Sequence, residues 1–458
     1  MKNITRRSFV KTSAGAAALF SILPSFAAEK KAPPSERLNV AVIGAGGRGF
    51  DSVSALHNFD KSQIVALCDV DDARAKGAFD LCPDAKRFKD YRVMFDKIAK
   101  DIDAVVVATP DHVHFPAAAW AMANGKHVYV EKPLARTVWE AQELKRIAKK
   151  TGLITQMGNQ GHAGDGWRKV KEWYDAGLLG ELIEIHHWTD RPVPGWWAQG
   201  ALPRPDGKEK VPASLDWNLW LNVAPEQPYS GRIVPFKWRG MRDFGTSSLG
   251  DMGCHFLDIG YSAFDLGLPL SVEGKPSESN DFSWPQECSV VYEFAPKKSG
   301  GENVKLYWFD YKNKPKDVRG MPQEAIDKAD NGTIIVCKNY TVFCDNPYGA
   351  NPSIMPRETM RELLKDGKLP APTIPRVNGG PQVEWAGACI EGKQPGSNIA
   401  GFSGDFATVV LMGLATVDFP NEKLIIDPKK MLFTSNKAAN RLLQSRYAYR
   451  KEFLPGKI

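Results

Sequence analysis

Two side chains near the middle of this chain have the types and spacing that suit proton transfer. Asp251 and His255 are four residues apart in the run Leu249–Ile259, so on a helix they would share one face. An imidazole that titrates near neutrality can take the proton of a hydroxyl as a hydride leaves its carbon, and a neighbouring carboxylate can orient the ring or hold the substrate. The alternative, an Asp near a helix N-terminus and a histidine satisfied in the core, fits this spacing equally well.

A lysine is the third candidate for chemistry. Glu131, Lys132 and Pro133 follow the run His127–Val130, which is typical of a buried strand. At the carboxyl end of such a strand the Lys132 amine can hydrogen-bond a substrate hydroxyl and stabilise a developing alkoxide. Pro133 stiffens the turn without needing a donor. Taken alone, Glu-Lys-Pro is more typical of a surface turn, so its assignment to a site depends on the elements around it.

A glycine-rich turn supplies that context. The apolar run Val40–Ile43 leads into Gly44-Ala45-Gly46-Gly47-Arg48-Gly49, a G-x-G-x-x-G sequence. The first glycine permits a tight turn, the second lets a pyrophosphate approach the backbone, and the third lets the next helix pack closely on the strand. The N–H groups at the start of that helix then face the phosphates. This arrangement predicts a dinucleotide site.

The end of the next apolar run bears on which dinucleotide binds. Asp69 closes the run Gln63–Val70 and lies 20 residues beyond Gly49. A carboxylate there can accept hydrogen bonds from the adenosine ribose and would repel a 2′-phosphate, which favours NAD over NADP. Arg74 is the residue that would counteract this preference. The same segment predicts a helix capped by Asp71 or Asp72.

Further cofactor contacts are expected where other strands end, because ligands bind in the crevice at the carboxyl ends of an open parallel sheet. Two of these ends follow the runs Ala104–Ala108 and Leu153–Met157, and the first leads into a helix that we expect to begin at His114. The predicted cofactor contacts are Gly44, Gly46, Gly47, Arg48, Gly49, Asp69, Thr109, Pro110, His112, His114, Glu131, Lys132 and Asn159.

The elements that must position these residues fall into two domains. Strands and helices alternate over residues 37–158, which predicts an α/β Rossmann domain with a six-stranded parallel sheet. Over residues 159–458, alternating polar and apolar residues in Leu182–Trp188 and Glu287–Glu293 predict an α+β domain with a large, mostly antiparallel open sheet. The length of 458 residues also exceeds one ordinary core.

The second domain contains the candidate substrate residues. Tryptophan is dense between Trp167 and Trp238, and most of these rings are expected to fill the core. Trp196 and Trp197 stand in a loop rich in proline and glycine, where an aromatic face suits stacking on a sugar. With Gln160 and His162, which follow the last strand of the first domain, they form the predicted substrate set.

Composition excludes several classes of protein. The chain is 43% hydrophobic and 25% charged, and its net charge of +7 is not concentrated in blocks of lysine and arginine, so nucleic-acid binding is not expected. Seven cysteines without a C-x-x-C pair suggest neither a metal site nor a redox motif. Cys337 and Cys344 could pair across a hairpin, but buried free thiols are the favoured interpretation.

The N-terminus has the pattern of an export signal. Arg6 and Arg7 precede a short apolar run, and small residues follow at Ser25–Ala27. We expect residues 1–28 to be a twin-arginine signal read by the export machinery, residues 29–36 to be a linker, and the mature protein to be periplasmic. Since this route carries folded proteins, the cofactor would be loaded in the cytoplasm and held tightly.

The ordered set of glycine-rich turn, Asp69, Thr109-Pro110, Glu131-Lys132-Pro133 and Asp251-x-x-x-His255 resembles the Gfo/Idh/MocA oxidoreductases. The resemblance implies an N-terminal Rossmann domain that binds NAD(P) and a C-terminal domain that carries the substrate face and the contacts of a homodimer or homotetramer. It also implies catalytic roles for Lys132, Asp251 and His255. Asp111 departs from the pattern, because many members carry Asn there.

The tryptophan-rich region is similar to an exported, sugar-active branch of the family, which leaves three functions open. The first is oxidation of a sugar or glycoside carbinol, giving a 3-keto-glycoside, with the hydride passed on to a second substrate or an external acceptor. The second is glycoside hydrolysis through transient oxidation and elimination, with His162, His187 or Tyr261 as the second base. The third is a non-catalytic sugar-binding relative.

Overall fold

The computed structural model describes residues 37–193, 196–297 and 300–456. The predicted export signal at residues 1–28 and the linker at residues 29–36 lie outside the described residues. The chain from Leu38 onward forms one compact unit.

The first sheet has six parallel strands in the spatial order β3-β2-β1-β4-β5-β6. They are β1 (Leu38–Ile43), β2 (Ser62–Cys68), β3 (Lys86–Phe88), β4 (Ala104–Val107), β5 (His127–Glu131) and β6 (Thr155–Gly158). Strands β1 and β4 are buried along almost their whole length, as strands with both faces covered should be. The strand order reverses between β1 and β4, which opens a crevice at their carboxyl ends. The predicted Rossmann sheet is confirmed.

Five helices connect these strands: α1 (Arg48–His57), α2 (Asp72–Leu81), α3 (Tyr91–Ile98), α4 (Asp111–Ala123) and α5 (Val138–Thr151). The Asp71 side chain caps α2, which is one of the two predicted caps. Thr137 forms a capping box with Glu140 at the start of α5. Helix α4 begins at Asp111, before the predicted start at His114, because Pro110 pre-sets the backbone at its N-terminus.

The second sheet has nine strands in the order β13-β12-β11-β7-β10-β9-β8-β14-β15. They are β7 (Leu182–Trp188), β8 (Ser271–Pro276), β9 (Cys288–Phe294), β10 (Val304–Phe309), β11 (Gly332–Cys337), β12 (Thr341–Cys344), β13 (Ser353–Met355), β14 (Leu424–Asp427) and β15 (Leu432–Phe433). Neighbouring strands are antiparallel except for the parallel pair β7 and β10. The predicted, mostly antiparallel sheet is confirmed.

Eight further helices are α6 (Gln160–Ala163), α7 (Gly166–Asp175), α8 (Trp217–Leu221), α9 (Ser247–Phe264), α10 (Gln323–Lys328), α11 (Arg357–Lys365), α12 (Gly380–Glu391) and α13 (Gly404–Met412). Helix α9 is buried at all 18 of its residues. It packs closely on β7, since a Cβ on Gly260 would come within 2.6 Å of the Ile185 side chain.

Single-turn and 3-10 helices complete the backbone: Ala99–Asp101, Lys237–Gly240, Gly413–Asp418, Lys437–Leu443 and Lys451–Phe453, with a π-helical turn at Ile399–Ser403. The stretch Ile399–Asp418 is long and apolar enough to cross a membrane by length and composition alone. Most of it is buried inside the protein, as the core helix of a folded domain would be. Cys337 and Cys344 are buried free thiols, as favoured from the sequence.

Candidate active site

The glycine-rich turn is packed so tightly that its glycines cannot carry side chains. A Cβ on Gly44, whose φ is +84°, would lie 2.7 Å from the Ala108 carbonyl oxygen, and a Cβ on Gly49 would lie 1.7 Å from the Gly44 carbonyl oxygen. No side chain caps α1, so its N-terminus is left to a ligand. The turn therefore fits the pyrophosphate of a dinucleotide.

One cavity at the crevice joins this turn to the ends of β2 and β4, and Gly44, Gly46, Arg48, Asp69, Thr109 and Pro110 all line it. The hydroxyl oxygen of Thr109 is buried and has no hydrogen-bond partner within the described part of the chain. A bound cofactor would satisfy it. The residues present therefore fit the predicted cofactor.

Asp69 is held in place by the backbone around it. Its carboxylate accepts hydrogen bonds from the N–H of Gly46 at 2.8 Å and from the N–H of Asp71 at 3.0 Å. Burial raises the pKa of Asp69, although these two hydrogen bonds act in the opposite direction. Arg74 lies on the far side of the turn, where a Cβ on Gly46 would meet its backbone at 2.7 Å. Asp69 and Arg74, the two residues expected to affect the preference for NAD over NADP, line the same cavity.

Lys132 forms a buried ion pair with Asp251. Its Nζ donates to the Asp251 carboxylate at 2.8 Å and to the Asp251 carbonyl oxygen at 2.9 Å. Arg239 donates from Nε to the same carboxylate oxygen at 3.0 Å. Burial alone would raise the pKa of Asp251, but the charges of Lys132 and Arg239 outweigh burial and hold it well below its ordinary value. Asp251 is therefore an anion that fixes the direction of both cations.

Arg239 was not predicted from the sequence. It stands in the short helix Lys237–Gly240, with its guanidinium 3.9 Å from the ring centre of Phe236 and 4.3 Å from that of Trp238. It also lines the cofactor cavity. Arg239 therefore connects the cofactor cavity to the Lys132–Asp251 pair.

His255 is oriented by Asn159 and not by Asp251. The Asn159 amide donates to the Cys254 carbonyl oxygen at 2.8 Å, so its own oxygen faces His255 Nδ1 at 3.2 Å. This pairing places the ring proton on Nδ1 and leaves a lone pair on Nε2. Burial, aided by the charge of Lys132, lowers the pKa of His255 well below its ordinary value, so the imidazole is neutral. A neutral ring with one free nitrogen is suited to accept a proton.

Tyr348 lies against this histidine and was also missed from the sequence. Its ring meets the His255 ring edge to face, with centres 5.0 Å apart. Tyr348 is 48% exposed, whereas His255 is 5% exposed. Tyr348 is thus a largely exposed ring in contact with the buried histidine.

Arg48 ties the glycine-rich turn to the strand that precedes Lys132. Its Nε donates to the buried carboxylate of Glu131 at 3.2 Å, and its Nη1 pairs with Asp51 at 2.7 Å. The side-chain oxygen of Gln160 also accepts from Arg48, 3.2 Å from Nε. Gln160, predicted as a substrate residue, is therefore placed at the cofactor turn.

The two histidines at the start of α4 have different surroundings. His114 bridges two strand ends, with its ring nitrogens 2.8 Å from the Thr109 carbonyl oxygen and 2.6 Å from that of Pro133. Burial lowers the pKa of His114 to about 4. His112 instead packs between Trp220 and Phe244, fully buried, and does not line the cofactor cavity. Its predicted role as a cofactor contact gains no support from this position.

The remaining predicted substrate residues are dispersed. His162 pairs with Asp258 at 3.0 Å and lines a separate groove. Trp197 is 2% exposed and donates to Gln199, which makes it a core residue. Trp196 is 51% exposed and packs against Phe236, next to Arg239. Trp196 is therefore the more exposed member of the pair, although the Arg191 guanidinium lies 4.2 Å from its ring centre.

Fold and site together define a protein with an NAD-binding Rossmann domain. Residues 38–159 match the family model for the NAD-binding Rossmann fold of the Gfo/Idh/MocA oxidoreductases, and residues 167–280 match the model for their C-terminal alpha/beta domain. The two matches span more than half of the chain. The protein belongs to the Gfo/Idh/MocA family, which confirms the predicted family and its NAD-binding domain.

Relatives of known activity match parts of the chain. It is 29% identical over 170 residues to an inositol 2-dehydrogenase of Salmonella typhimurium. The matched stretch covers 36% of this chain and 50% of that protein. It is 30% identical over 209 residues to an alpha-N-acetylgalactosaminidase of Shewanella oneidensis, which covers 40% of this chain and 45% of that protein. The chain spans about half the length of these curated relatives.

Solved structures share the fold over most of the chain. The WlbA dehydrogenase of Chromobacterium violaceum, solved with NADH and UDP-GlcNAcA, matches with a TM-score of 0.59 at 15% identity, covering 86% of this chain and 98% of that one. The aldose-aldose oxidoreductase of Caulobacter crescentus, solved with glycerol, matches with a TM-score of 0.57 at 16% identity, covering 85% of this chain and 100% of that one.

Proposed function

We propose that the protein oxidises a carbinol of a sugar or glycoside to a ketone, giving a 3-keto-glycoside, with NAD held at the glycine-rich turn through many turnovers. The observation that carries the proposal is the state of His255. Its neutral ring is locked by Asn159 with the free nitrogen available, and it lies on the same helix as the partner of Lys132. Family membership supports the oxidoreductase class.

His255 acts as the base in this proposal. When bound, the nicotinamide supplies the acceptor for the hydride of the carbinol carbon. The free Nε2 of His255 takes the hydroxyl proton. In the resulting imidazolium, the Nδ1–H still donates its hydrogen bond to the Asn159 oxygen. Because the ring is neutral before the reaction, no proton has to leave the site first.

Lys132 and Asp251 stabilise the charge that develops on the substrate oxygen. The Lys132 ammonium has one more proton to donate than its two bonds to Asp251 use, and that proton can reach a substrate oxygen. Asp251 and Arg239 restrict where the ammonium points, so little reorganisation is needed. Arg239 also brings its own charge close to the reacting oxygen.

The exposed aromatic rings favour a sugar as the substrate. Phe236 lies against the Arg239 guanidinium, Trp196 packs on Phe236, and the exposed Tyr348 ring contacts His255. Aromatic faces combined with a few polar groups are typical of sites that bind small polar ligands. The names of the relatives, an inositol dehydrogenase and a galactosaminidase, point to the same substrate class.

Side-chain contacts around the glycine-rich turn support the proposal that the cofactor is tightly bound. Arg48 connects the turn to Glu131 and Gln160, so release of a dinucleotide would disturb three segments. A twin-arginine signal at residues 1–28 would deliver the folded, loaded protein to the periplasm, where free NAD is scarce. Reoxidation would then require a second substrate or an external electron acceptor.

Glycoside hydrolysis is the second candidate function, favoured by the galactosaminidase among the relatives. It requires a second base beside the reacting carbon. His187 is fully buried in the second sheet, and His162 and Tyr261 line a separate groove. Tyr348, in contact with His255, is the better-placed group. A non-catalytic binding role is disfavoured because Lys132, Asp251 and His255 are assembled together.

The decisive experiment incubates the purified protein with an aryl glycoside, with and without a soluble electron acceptor. Accumulation of a 3-keto-glycoside that depends on the acceptor supports oxidation. Release of sugar and aglycone without an acceptor would refute oxidation as the net reaction and favour hydrolysis. A Lys132→Ala variant should lose turnover in either case, while NAD released by denaturing the purified variant should match the wild type.

A further inference from the structure

A second cavity, of about 430 Å³, is partly lined by the segment that follows Lys132 in the chain. Its walls come from the start of α5, the segment before α9, the end of the apolar stretch at residues 399–418, and residues 441–446 near the C-terminus. Four arginines line it: Arg136, Arg242, Arg441 and Arg446. Asp418 is the one acidic residue that lines it in the described structure.

Arg136 is a buried cation without a carboxylate partner. It is 7% exposed, and its guanidinium donates to two neutral groups, the Ser445 hydroxyl at 2.9 Å and the Arg242 carbonyl oxygen at 3.4 Å. Its Nε has no hydrogen-bond partner, and no ion pair of Arg136 occurs in the part of the chain that the structure describes. The Tyr447 ring, 4.6 Å from the Arg136 guanidinium, also stabilises this cation, which therefore rests on neutral partners alone within the described residues.

The nearby carboxylates are already engaged. Asp418 pairs with Arg242 at 2.7 Å, and Asp243 lies 3.6 Å from Arg446. Glu140 accepts from the backbone N–H groups of Arg136 and Thr137 at the start of α5. Burial lowers the pKa of Arg136, but Tyr447 and Glu140 outweigh burial and raise it, so Arg136 keeps its charge with no carboxylate bonded to its guanidinium in the described structure.

Arg441 adds a second cation to this cavity. Its side chain forms no ion pair or hydrogen bond with any residue whose position the structure describes. The cavity wall also includes Thr137 and Val138, the N-terminal end of α5, where the helix dipole favours negative charge. Burial lowers the pKa of Arg446; Asp243 acts in the opposite direction, and the charges of Arg242 and Arg136 add to the effect of burial.

We propose that this cavity binds a small oxyanion, as a phosphate, sulfate or carboxylate group, through Arg136 and Arg441. The planar guanidinium fork suits two oxygens of such a group, and each Nη group of Arg136 has a second N–H beyond its bond to Ser445 or to the Arg242 carbonyl oxygen. The volume is in the range of small-ligand sites. The oxyanion could be free in solution or carried on a sugar.

A bound oxyanion would connect the segment that carries Lys132 with the segment that carries Arg239. Arg136 follows Lys132 on the same connection into α5, and Arg242 follows Arg239 on the segment before α9. An anion between these arginines would hold the two segments at a fixed separation. Its binding should therefore raise the thermal stability of the protein in addition to filling the cavity.

The test is calorimetric titration of inorganic phosphate into the NAD-loaded protein at constant ionic strength, so that the glycine-rich turn is already filled. We expect one saturable site per chain. Arg441→Gln, at an exposed position, should weaken phosphate binding at least tenfold, and Arg136→Lys should weaken it by removing the fork. Arg361→Gln, which removes a 74% exposed arginine side chain on α11, is the matched control and should bind as the wild type does.

Two results would overturn the proposal: no saturable binding, or equal affinity in the wild type and the Arg441→Gln variant. The source of the oxyanion is identified by repeating the titration with glucose 6-phosphate and with glucuronate. Tighter binding of a sugar-borne anion than of phosphate supports a sugar ligand, and weaker binding supports a free oxyanion. If none of the three anions binds, the cavity is not an oxyanion site.

Discussion

Asp111 offers a sharp test of the electrostatics of the site. It is 3% exposed at the start of α4, and its carboxylate accepts a hydrogen bond from the Thr246 hydroxyl at 2.7 Å. Burial raises the pKa of Asp111 from 3.8 to about 7, outweighing the Thr246 bond and the charges of Arg239 and Lys132. We predict that Asp111→Asn stabilises the protein above neutral pH, because the amide keeps an acceptor for Thr246 and carries no charge.

The sign follows from the protons bound in each state. Below about pH 4 the folded and unfolded chains both carry the Asp111 proton, so the variant gains nothing. As the pH rises towards 7, the unfolded chain has released this proton while the folded chain retains it, so the wild type loses stability. Above about pH 7 the loss is complete. A raise of about three pKa units corresponds to at most about 4 kcal/mol in the free energy of unfolding.

The assay is thermal or urea unfolding of the wild type and Asp111→Asn at about pH 4.5 and pH 8.5. We expect a small difference in stability at the lower pH and a gain of roughly 2 to 4 kcal/mol for the variant at the higher pH. Asp80→Asn, at a surface side chain that is 62% exposed, is the control and should show no such pH dependence. A difference between Asp111→Asn and the wild type that does not grow with pH would refute the assigned pKa.

Three further predictions concern the site. Asn159→Ala should lower kcat/KM about fivefold and change its pH profile, since losing a hydrogen bond of about 1 kcal/mol releases the tautomer of His255; an unchanged profile would count against that tautomer. Arg239→Lys should lower kcat with the circular dichroism spectrum unchanged, because the ammonium cannot reproduce the bond to Asp251; full kcat would leave Arg239 without a role. Asp69→Ser should raise the affinity for NADP relative to NAD in titrations of cofactor-stripped protein, and an unchanged ratio would contradict the role of Asp69.

Much of the fold could be predicted because apolar runs and caps are local signals. The strand predicted at Leu182–Trp188 has those bounds in the structure, and Thr137 caps α5 as its sequence indicates. Strand β3 (Lys86–Phe88) could not be located, because its three residues are exposed or half-buried and form no apolar run. It exists because it pairs with β2, a contact that no local pattern records.

The candidate site could be predicted only in part. Lys132 was indicated by its position at a strand end, and His255 by its spacing from Asp251. Lys132 and Asp251 are 119 positions apart in the chain, so no local sequence pattern could predict their ion pair. Arg239 stands in a single helical turn and Tyr348 in an irregular segment, both too short to show periodicity, so tertiary packing alone decides what these side chains contact.

The burial of α9 limits which substitutions the protein can accept. Asp251 and His255 stand on a helix without a solvent-facing residue, so a substitution almost anywhere along it would disturb the core as well as the chemistry. New substrates must therefore be accommodated elsewhere, by the segments that reach the helix from outside. The loop with Trp196 and the segments with Arg239 and Tyr348 are the places where we expect substitutions to alter specificity while α9 stays constant.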